Sequence, residues 1–316
     1  MPIADILRSI LIVPGHKPDW MRKAPGLGAD ALMFDLEDPV PVDAKADARA
    51  AAGAVVEDAG ATSVPIFVRV NGWGTGHLLH DLHAVVGPGL HGVALPKTDQ
   101  AGDVIALDRV LSELEAARGL PVGSIEVYPI LETARSMRES HAVFTSSARV
   151  RRGSGVIAAT PGGDFYRATG STYTDEGLES LYVSSKIVLD ARSAGFDSII
   201  GGVVTDLSGT ELLRTVMTRL RTIGANGAFA IHPSQVPVLN EVFSPSAGDI
   251  AEAVATLVAM ADGVTRGDAA VRHRGRMIDY AHVRTARDLL DQAARWGLEV
   301  PDHPEVDVLS YGGAPG

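Results

Sequence analysis

The sequence contains no cysteine in its 316 residues, so disulfide bonds, thiolate metal sites and a cysteine nucleophile are excluded. It also contains no stretch near the roughly 20 consecutive apolar residues that a membrane-spanning helix needs. Positive charge is scarce, because 39 acidic residues face 28 lysines and arginines and leave a formal net charge of -11. This balance argues against a surface that binds nucleic acid phosphates or anionic lipid.

The amino-terminal segment lacks the basic start and the long apolar core of a signal peptide, because Asp5 precedes an apolar stretch of only about seven residues. We therefore expect a soluble, cytoplasmic protein with neither nucleic acid nor a membrane as a partner. The 46% hydrophobic and 21% charged residues are ordinary for a globular protein with a sizeable core.

Short apolar runs rich in β-branched residues alternate with longer helical patterns along the chain. The eight predicted strands are Ser9 to Val13, Ala31 to Asp35, Ile66 to Val70, Gly92 to Leu95, Ile125 to Ile130, Gly155 to Ala158, Ser198 to Ile200 and Ala228 to Ile231. Their continuous apolar character indicates burial on both faces, as in a parallel sheet. Eight such repeats predict an α/β fold of the (β/α)8, or TIM-barrel, class; an open doubly wound sheet usually has fewer strands and a glycine fingerprint.

Two long helical patterns follow the eighth strand and fall outside this alternation. They run from about Ala247 to Gly263 and from about Ala281 to Trp296. We predict a barrel catalytic domain over residues 1–244, a C-terminal helical extension or lid over residues 245–300, and a loose tail over residues 301–316.

The active site of such a barrel lies at the C-terminal ends of its strands, so polar residues that end apolar runs are the candidates. Five strand ends carry them: Asp35, Glu37 and Asp38 after the second, Arg69 and Asn71 after the third, Lys97 after the fourth, Glu132 after the fifth and Asp164 after the sixth. Their number favours one shared site over isolated surface charges. The basic run at residues 149–152 is instead interpreted as a solvated turn before the sixth strand.

Carboxylates in a sequence with no cysteine and no HxxxH or HxH spacing favour a hard cation such as Mg²⁺ over zinc. Magnesium typically takes one or two carboxylates and leaves its other positions to water and substrate. Glu132 ends a strand directly, and Asp164 follows two glycines that let the backbone approach a ligand closely. The same residues also suit a helix start, Asp164 as an N-cap and Glu132 beside the first turn at Thr133. Spacing alone leaves both interpretations open.

Several short motifs, in a fixed order, resemble one known family over nearly the whole chain. They are Arg8-Ser9-Ile10-Leu11-Ile12-Val13-Pro14-Gly15, Asp35-Leu36-Glu37-Asp38-Pro39-Val40, Val68-Arg69-Val70-Asn71, Leu95-Pro96-Lys97, Ile130-Leu131-Glu132-Thr133-Ala134, Ile231-His232-Pro233-Ser234-Gln235-Val236 and Gly275-Arg276-Met277-Ile278-Asp279. The sequence resembles the HpcH/HpaI aldolase superfamily, in the branch of the citrate lyase beta subunit, citramalyl-CoA lyase and malyl-CoA lyase.

The resemblance implies roles for the residues at the predicted barrel mouth. Glu132 and Asp164 are expected to hold Mg²⁺, with Mn²⁺ as a substitute, and Arg69 to contact the oxygen atoms of the substrate. The acidic cluster of Asp35, Glu37 and Asp38 is expected beside the metal, where it holds metal-bound water, and the sequence does not assign which of the three does so. Asp38 is named as a catalytic candidate and Glu37 as a substrate contact.

The resemblance also implies residues for coenzyme A and for proton transfer. Arg8 is expected near the acyl or phosphate portion of coenzyme A, with Lys17 or Arg22 helping. Asp279 resembles the acidic residue that a C-terminal lid brings over the active site, often from a neighbouring subunit, and is the candidate base. Homotrimers or homohexamers are therefore expected.

The reaction implied is cleavage or formation of a 3-hydroxyacyl-CoA thioester, with an acetyl-CoA-type acyl-CoA and a 2-oxo acid as its small-molecule partners. Three alternatives remain: a thioester hydrolase or malate-synthase-like enzyme on the same site, a metal-dependent aldolase that acts without coenzyme A, and a non-catalytic barrel subunit. One motif departs from the family, which commonly has Gly-x-Glu-Asp-Leu where this chain has Gly162-Gly163-Asp164-Phe165. Gly163 removes a carboxylate there, and Tyr166 with Arg167 adds bulk and positive charge, so we expect this segment to select a different acid half.

Overall fold

A computed structural model describes residues 6–59, 64–155 and 162–306 of the chain. Eight parallel strands form one sheet in the described residues, in the order β5-β4-β3-β2-β1-β8-β7-β6. The strands are β1 (Ser9–Pro14), β2 (Ala31–Asp35), β3 (Ile66–Arg69), β4 (Gly92–Leu95), β5 (Glu126–Pro129), β6 (Gly153–Ser154), β7 (Ile199–Val203) and β8 (Gly227–Ala230). The predicted α/β barrel is confirmed.

The sheet forms a nearly closed barrel in which β1 lies between β2 and β8. The two outer strands of this order, β5 and β6, approach each other, and the Ser154 hydroxyl donates to the carbonyl of Pro129 at 3.1 Å. The sixth strand was expected at Gly155 to Ala158, but β6 lies earlier, and residues 156–158 fall outside the described part. The register pairs Gly153 with Ile199, and neither Gly153 nor Ser154 has the apolar side chain that marked the other strands.

Helices follow most of the strands, as the alternation predicts. Up to residue 243 the helices are α1 (Pro18–Lys23), α2 (Lys45–Asp58), α3 (Leu78–Val85), α4 (Ala101–Ala117), α5 (Ala134–Arg138), α6 (Ser140–Phe144), α7 (Asp164–Thr169), α8 (Leu178–Ser193), α9 (Glu211–Thr222) and α10 (Val236–Val242). Short 3₁₀ turns at Ala24–Leu27, Val42–Ala44 and Pro233–Gln235 connect some of these elements. Several helices are short, so tertiary packing supplies most of their stability.

The core has two layers, one inside the barrel and one between the barrel and its helices. The inner layer includes Phe67, Tyr128 and Phe229, whose rings meet edge to face at centroid distances of 5.9 and 6.0 Å. Among the described residues, the inner layer fills the barrel below its mouth with packed side chains. Polar groups that end the strands are therefore directed to the mouth.

The basic run at residues 149–152 is not a solvated turn. Arg149 and Arg152 are 3% and 4% exposed. Arg152 pairs with Glu126 at 3.2 Å, and Arg149 donates to Glu115 on α4. The expectation failed because arginine can be buried when a carboxylate pairs with it, and the partners lie 26 and 34 residues away in sequence.

The chain divides between Phe243 and Ser244 into two compact units. The second unit contains α11 (Ala247–Thr265), α12 (Tyr280–Arg295) and an antiparallel hairpin of β9 (Ala270–His273) and β10 (Arg276–Asp279). The predicted helices are present, whereas the hairpin was not predicted.

The hairpin turns at Arg274 and Gly275, whose φ angles of 46° and 83° are left-handed. Such angles match the two-residue turns that join twisted strands. The predicted lid role of this unit stays a prediction, and residues 307–316 of the predicted tail lie outside the described part. Over the described residues, the longest helices are too short or too polar to span a bilayer.

Candidate active site

The C-terminal ends of the parallel strands bring the predicted charged residues together at one barrel mouth. Asp35 and Arg69 are the last residues of β2 and β3, and Lys97 and Glu132 lie in the loops that follow β4 and β5. Asp164 is the first residue of α7, after β6, and its charge acts on Glu132. Five strands therefore contribute to a single cluster of charge.

Arg69 is held in a fixed orientation by Asp35, its register neighbour on β2. Its Nε donates to Asp35 Oδ1 at 2.9 Å and its Nη2 donates to Asp35 Oδ2. Asp35 is fully buried and also accepts the backbone N–H of Glu37 at 2.9 Å. Burial works against the guanidinium charge, but the ion pair with Asp35 outweighs it and raises the pKa of Arg69. Arg69 is thus a permanent cation, and Asp35 is committed to holding it.

Glu37 is shared between Arg69 and Lys97. Lys97 Nζ donates to Glu37 Oε1 at 2.6 Å and lies 3.2 Å from an oxygen of Asp38. The side chain of Glu37 is 8% exposed, whereas that of Asp38 is 64% exposed. Burial lowers the proton affinity of Lys97, but its contacts with Glu37 and Asp38 outweigh that effect and raise the pKa. Asp38 is therefore a solvent-facing partner of Lys97, and Glu37 is the buried one.

Glu132 is a buried carboxylate, 6% exposed, that no other side chain neutralises fully. Burial raises its pKa to about 7, although the nearby Arg69 charge opposes this rise. Glu37 and Asp164 raise the pKa further, since both bring negative charge close to Glu132. A carboxyl group in this state gains from a cation beside it.

Glu132 and Asp164 fit a divalent cation such as Mg²⁺. Within residues 6–59, 64–155 and 162–306, neither carboxylate accepts a hydrogen bond from another side chain or from the backbone. No three histidine, aspartate or glutamate side chains of these residues form a metal-holding group. Two carboxylates are nonetheless what magnesium typically takes from a protein, with water and substrate completing its coordination. Burial raises the pKa of Glu132, and a cation bound beside it would favour its ionised form.

A buried polar network of side chains from α2, α3 and the loop after β3 contacts the loop that carries Glu37. Asn71 donates from its backbone N–H and from Nδ2 to Asp81 Oδ2 at 2.9 and 2.6 Å, and Arg49 pairs with Asp81 at 2.9 Å. Lys45 Nζ donates to Asn71 Oδ1 at 2.6 Å and to the carbonyl of Glu37 at 3.0 Å. These bonds tie α2, α3 and the loops after β2 and β3 together, so the backbone at Glu37 is rigid.

A cavity of about 640 Å³ opens beside this cluster, between the loops that follow β2, β3 and β4. Its lining includes Glu37, Asp38, Lys97 and Trp73. The indole of Trp73 is 41% exposed, and its Nε1 donates to the carbonyl of Asp103 at 3.2 Å. The volume is within the range of small-molecule sites, so the mouth has room for an organic ligand.

Arg8 lies at the opposite end of the barrel from this cluster. It directly precedes the first residue of β1, and its carbonyl accepts the N–H of Ala228 near the start of β8. Its guanidinium is paired with Asp30 through bonds of 2.9 and 2.8 Å. The expected contact of Arg8 with coenzyme A stays a prediction. Arg8 ties β1 to the loop before β2, because the amino ends of parallel strands lie away from the mouth.

Lys17, Arg22 and Gly163 lie on the side of the barrel where the strands end. Lys17 follows β1, is exposed, and places Nζ 5.8 Å from the ring centroid of Trp20. Arg22 is exposed on α1 and is 3.4 Å from Asp19. Gly163 precedes α7 with a φ of 112°, a conformation that glycine adopts readily. Their suggested contacts with a ligand stay predictions.

Asp279, the candidate base, belongs to the second unit. It caps α12, where its carboxylate accepts the N–H of Ala281 at 3.0 Å and lies 2.8 Å from His282 Nδ1. The hydrogen bond with His282 lowers the pKa of Asp279, and the two backbone N–H groups add to this effect. Asp279 is therefore ionised at neutral pH in this capped state.

Lys97 is the residue at this mouth to which sequence reasoning assigned no role. Its position after the fourth strand was visible, but its pairing with Glu37, 60 residues away, was not. A second signal is its φ of 48°, a left-handed backbone angle that is uncommon for a residue other than glycine. That angle appears only in the folded structure.

A family model described as HpcH/HpaI aldolase/citrate lyase matches residues 8–233. The chain therefore belongs to the HpcH/HpaI aldolase/citrate lyase family, as its motifs predicted. A citrate lyase subunit beta-like protein of Deinococcus radiodurans is 34% identical over 294 residues, which cover 92% of this chain and 98% of that protein.

Two Cereibacter sphaeroides relatives are each 32% identical over 92% of this chain. They are an L-malyl-CoA/beta-methylmalyl-CoA lyase, covered over 96% of its length, and a (3S)-malyl-CoA thioesterase, covered over 95%. CitE of Mycobacterium tuberculosis, solved in complex with magnesium, acetoacetate and coenzyme A, superposes with a TM-score of 0.71 and 26% identity. That alignment covers 92% of this chain and 99% of the CitE chain.

Proposed function

We propose that this protein is a Mg²⁺-dependent carbon-carbon lyase that cleaves, or in reverse forms, a 3-hydroxyacyl-CoA thioester. Its products are an acetyl-CoA-type acyl-CoA and a 2-oxo acid. The observation that carries the proposal is the buried Glu132 carboxylate, without a hydrogen-bond partner among the described residues, beside Asp164 and Arg69. Relatives that act on malyl-CoA support the substrate class.

In this proposal Glu132 and Asp164 hold the cation, and Mn²⁺ substitutes for Mg²⁺. The cation supplies Lewis-acid polarisation of the oxygen atoms on the acid half of the substrate. Arg69 binds the same oxygen atoms through the guanidinium edge that Asp35 leaves free. Because Arg69 is already oriented, its charge needs little rearrangement when negative charge develops on the substrate.

The proton steps belong to the chain's own carboxylates. Cleavage removes the proton of the 3-hydroxyl group and leaves the electron pair on the carbon next to the thioester carbonyl. In the direction of condensation, a base takes a proton from that carbon, and Asp279 is the proposed base. Its carboxylate is ionised at neutral pH, and release of the His282 hydrogen bond would increase its proton affinity.

Thioester hydrolysis is the second candidate function, because the malyl-CoA thioesterase relative is as similar to this chain as the lyase relative. Both reactions use a metal and a cation at the acid half. They differ in whether free coenzyme A appears together with the intact hydroxy acid.

The test is an assay of the purified protein with Mg²⁺ on malyl-CoA, citramalyl-CoA and methylmalyl-CoA. A lyase forms acyl-CoA and a 2-oxo acid, measured by liquid chromatography and by trapping of the oxo acid. Free thiol with no oxo acid identifies a thioesterase. In a parallel assay without thioesters, cleavage of free hydroxy keto acids identifies an aldolase that acts without coenzyme A. Absence of all these products would reject an enzymatic role.

Glu132→Gln and Asp164→Asn are the variants that test the site. We expect each to lower kcat/KM by at least about 100-fold, because each removes one of two charged ligands. Asp262→Asn, in the second unit on α11, is the matched control and is expected to retain activity. Equal activity in all three variants contradicts the assignment of Glu132 and Asp164.

The remaining parts of the proposal concern the cell and the assembly. We place the protein in the cytoplasm as a homotrimer or homohexamer, with Lys17 and Arg22 near the coenzyme A phosphates and Gly163 beside the acid half. Multi-angle light scattering on the purified protein measures the mass of the assembly. A monomer across the working concentration range would remove the oligomeric part of the proposal.

A further inference from the structure

Glu37 has one committed oxygen and one free oxygen. Its Oε1 accepts from Lys97 Nζ at 2.6 Å. Its Oε2 is fully buried and has no hydrogen-bond partner among the described residues. Arg69 Nη1 is 3.5 Å from Oε2, close enough for electrostatic attraction but not hydrogen-bonded to it. A buried carboxylate oxygen in this state has an unused capacity to accept a hydrogen bond.

The other two acidic residues of the same motif are unsuited to accept from a ligand in the mouth. Asp35 already receives both donor groups of Arg69 and the backbone N–H of Glu37. Asp38 is 64% exposed, so water competes for its oxygen atoms. Glu37 is therefore the member of the motif whose free oxygen is both buried and oriented.

Lys97 maintains that orientation at a conformational cost. Its φ of 48° is left-handed, which is unfavourable for most side chains that have a Cβ, lysine among them. The adjacent turn is held by the Thr98 hydroxyl, which donates to the carbonyl of Leu95 at 2.8 Å, and by the Thr98 N–H, which donates to Ile130 at 3.3 Å. A strained residue that places a charge on a buried carboxylate points to a requirement of the site.

We infer that Lys97 is a positioning residue that fixes Glu37 with Oε2 free to accept a hydrogen bond from an O–H group of the ligand. The O–H group belongs either to water on the cation at Glu132 or to the hydroxyl of the bound hydroxy acid. Both sources present the same donor beside Arg69. This inference rests on the proposed function, since it takes the ligand to be a hydroxy acid and a cation.

The test measures Mg²⁺ affinity by isothermal titration calorimetry in a double-mutant cycle of Glu37→Gln and Lys97→Asn. Asparagine tolerates a left-handed backbone, so Lys97→Asn removes the charge without adding strain. If the donor is metal-bound water, we expect Glu37→Gln to weaken Mg²⁺ binding by about 10- to 100-fold in the wild type. The same change is expected to weaken it less than about 3-fold in the Lys97→Asn background, because Glu37 is no longer held there.

A second arm identifies a substrate hydroxyl as the donor. With Mg²⁺ saturating, L-malate and succinate are titrated as probes, because succinate is the same diacid without the hydroxyl. If the hydroxyl is the donor, Glu37→Gln weakens malate binding at least about 10-fold and leaves succinate binding unchanged. Lys97→Arg, which keeps the charge, is expected to bind both probes within about 3-fold of the wild type.

Lys23→Asn, an exposed lysine at the end of α1, is the charge-matched control. Thermal melts check that every variant is folded. If Lys97→Asn is unstable, Lys97→Gly replaces it in the cycle, because glycine adopts the left-handed angle readily.

If Glu37→Gln binds Mg²⁺ and malate with wild-type affinity, the role of Glu37 is overturned. An equal Glu37→Gln effect in both Lys97 backgrounds overturns the role of Lys97. If the wild-type protein neither binds Mg²⁺ nor cleaves any thioester, the proposed function itself is wrong. This result differs from the two outcomes that overturn only the roles of Glu37 and Lys97.

Discussion

Arg69 shows that geometry matters at this site as much as charge. Its fork of donors is matched to both oxygen atoms of Asp35, and this match fixes the plane of the guanidinium. A lysine at the same position would carry the charge on one atom at the end of a flexible chain. The pairing on adjacent strands thus converts a charge into an oriented binding edge.

We predict that Arg69→Lys lowers kcat/KM by about 100-fold, because the bidentate contact and the orientation toward substrate are both lost. Steady-state kinetics on the best thioester measures this. Arg214→Lys is the control, since Arg214 also forms a two-bond pair with a carboxylate, Glu241, but on the exposed surface. A similar loss in both variants would attribute the effect to the fold and not to the site.

Residues with positive φ angles differ in how far their conformation can be predicted from the sequence. Positive φ angles at Gly162 and Gly163 were foreseeable, because glycine adopts them readily. The same conformation at Lys97 was not foreseeable, because neither the lysine nor the residues next to it in sequence indicate it. Residue types predict backbone conformation only where the side chain itself controls it.

At the scale of elements, α4 is joined to the loop between α6 and β6 by a buried ion-pair network. Arg149 donates to both oxygen atoms of Glu115 at 2.8 and 2.6 Å and also to Asp108. Glu115 also accepts the N–H groups of Gly123 and Ile125, each at 2.8 Å. Burial opposes the charge of Glu115, but these contacts outweigh it and lower the pKa of Glu115.

The direction of this shift determines how stability depends on pH. A carboxylate with a lowered pKa in the folded state stabilises the fold above its unfolded pKa of roughly 4.3. The stabilisation is lost as pH falls below that value and through the folded pKa. The network of α4 therefore contributes fully at neutral pH and progressively less in acid.

We predict that Glu115→Gln lowers the free energy of unfolding by about 1.5–3 kcal/mol at pH 7, the range of hydrogen bonds to charged groups. Urea denaturation at several pH values measures this, and the difference from the wild type should shrink as pH falls below about 4. Glu113→Gln is exposed on the same helix and is expected to change stability by less than about 0.5 kcal/mol. A difference that stays constant down to pH 3 would contradict the ionic origin of the effect.

Element boundaries show what periodicity can and cannot predict. Seven of the expected strands overlap the observed ones, since continuous apolar runs identify buried parallel strands. The predicted sixth strand falls mainly on residues 156–158, outside the described part; the described β6 carries little apolar surface and is recognised by its pairing with β7. The hairpin of β9 and β10 was missed because its strands are short, with charged residues at their ends.

At the scale of the whole molecule, the proposed cation at the mouth would couple binding to folding. A ligand that binds only the native state stabilises it by mass action, and the effect at 100 times the dissociation constant is about 2.7 kcal/mol. Glu132 and Asp164 follow different strands, so the two carboxylates lie close together only when the barrel is folded.

We predict that Mg²⁺ raises the melting temperature of the wild-type protein by several degrees and that Asp164→Asn abolishes most of this shift. Differential scanning calorimetry with and without Mg²⁺ measures it, with Ca²⁺ as a comparison ion. The same shift in wild type and variant would place the stabilising cation elsewhere on the protein.

The order of residues was sufficient to predict the barrel and the position of its site. Apolar runs of strand length alternate with helical patterns, and parallel strands must end at a common mouth, so the polar residues after them had to converge there. The motifs also identified the family. These conclusions depend on local patterns, which a linear sequence carries directly.

Only the tertiary structure decided which charges neutralise each other and which remain free. Asp35 is taken by Arg69, Glu37 by Lys97, and Glu132 is left without a hydrogen-bonding partner among the described residues. The pairing of Arg8 with Asp30, before the first strand, is likewise visible only in the folded structure. Such pairings depend on the register and curvature of strands far apart in sequence, and the strength of each depends on burial, which no local pattern contains.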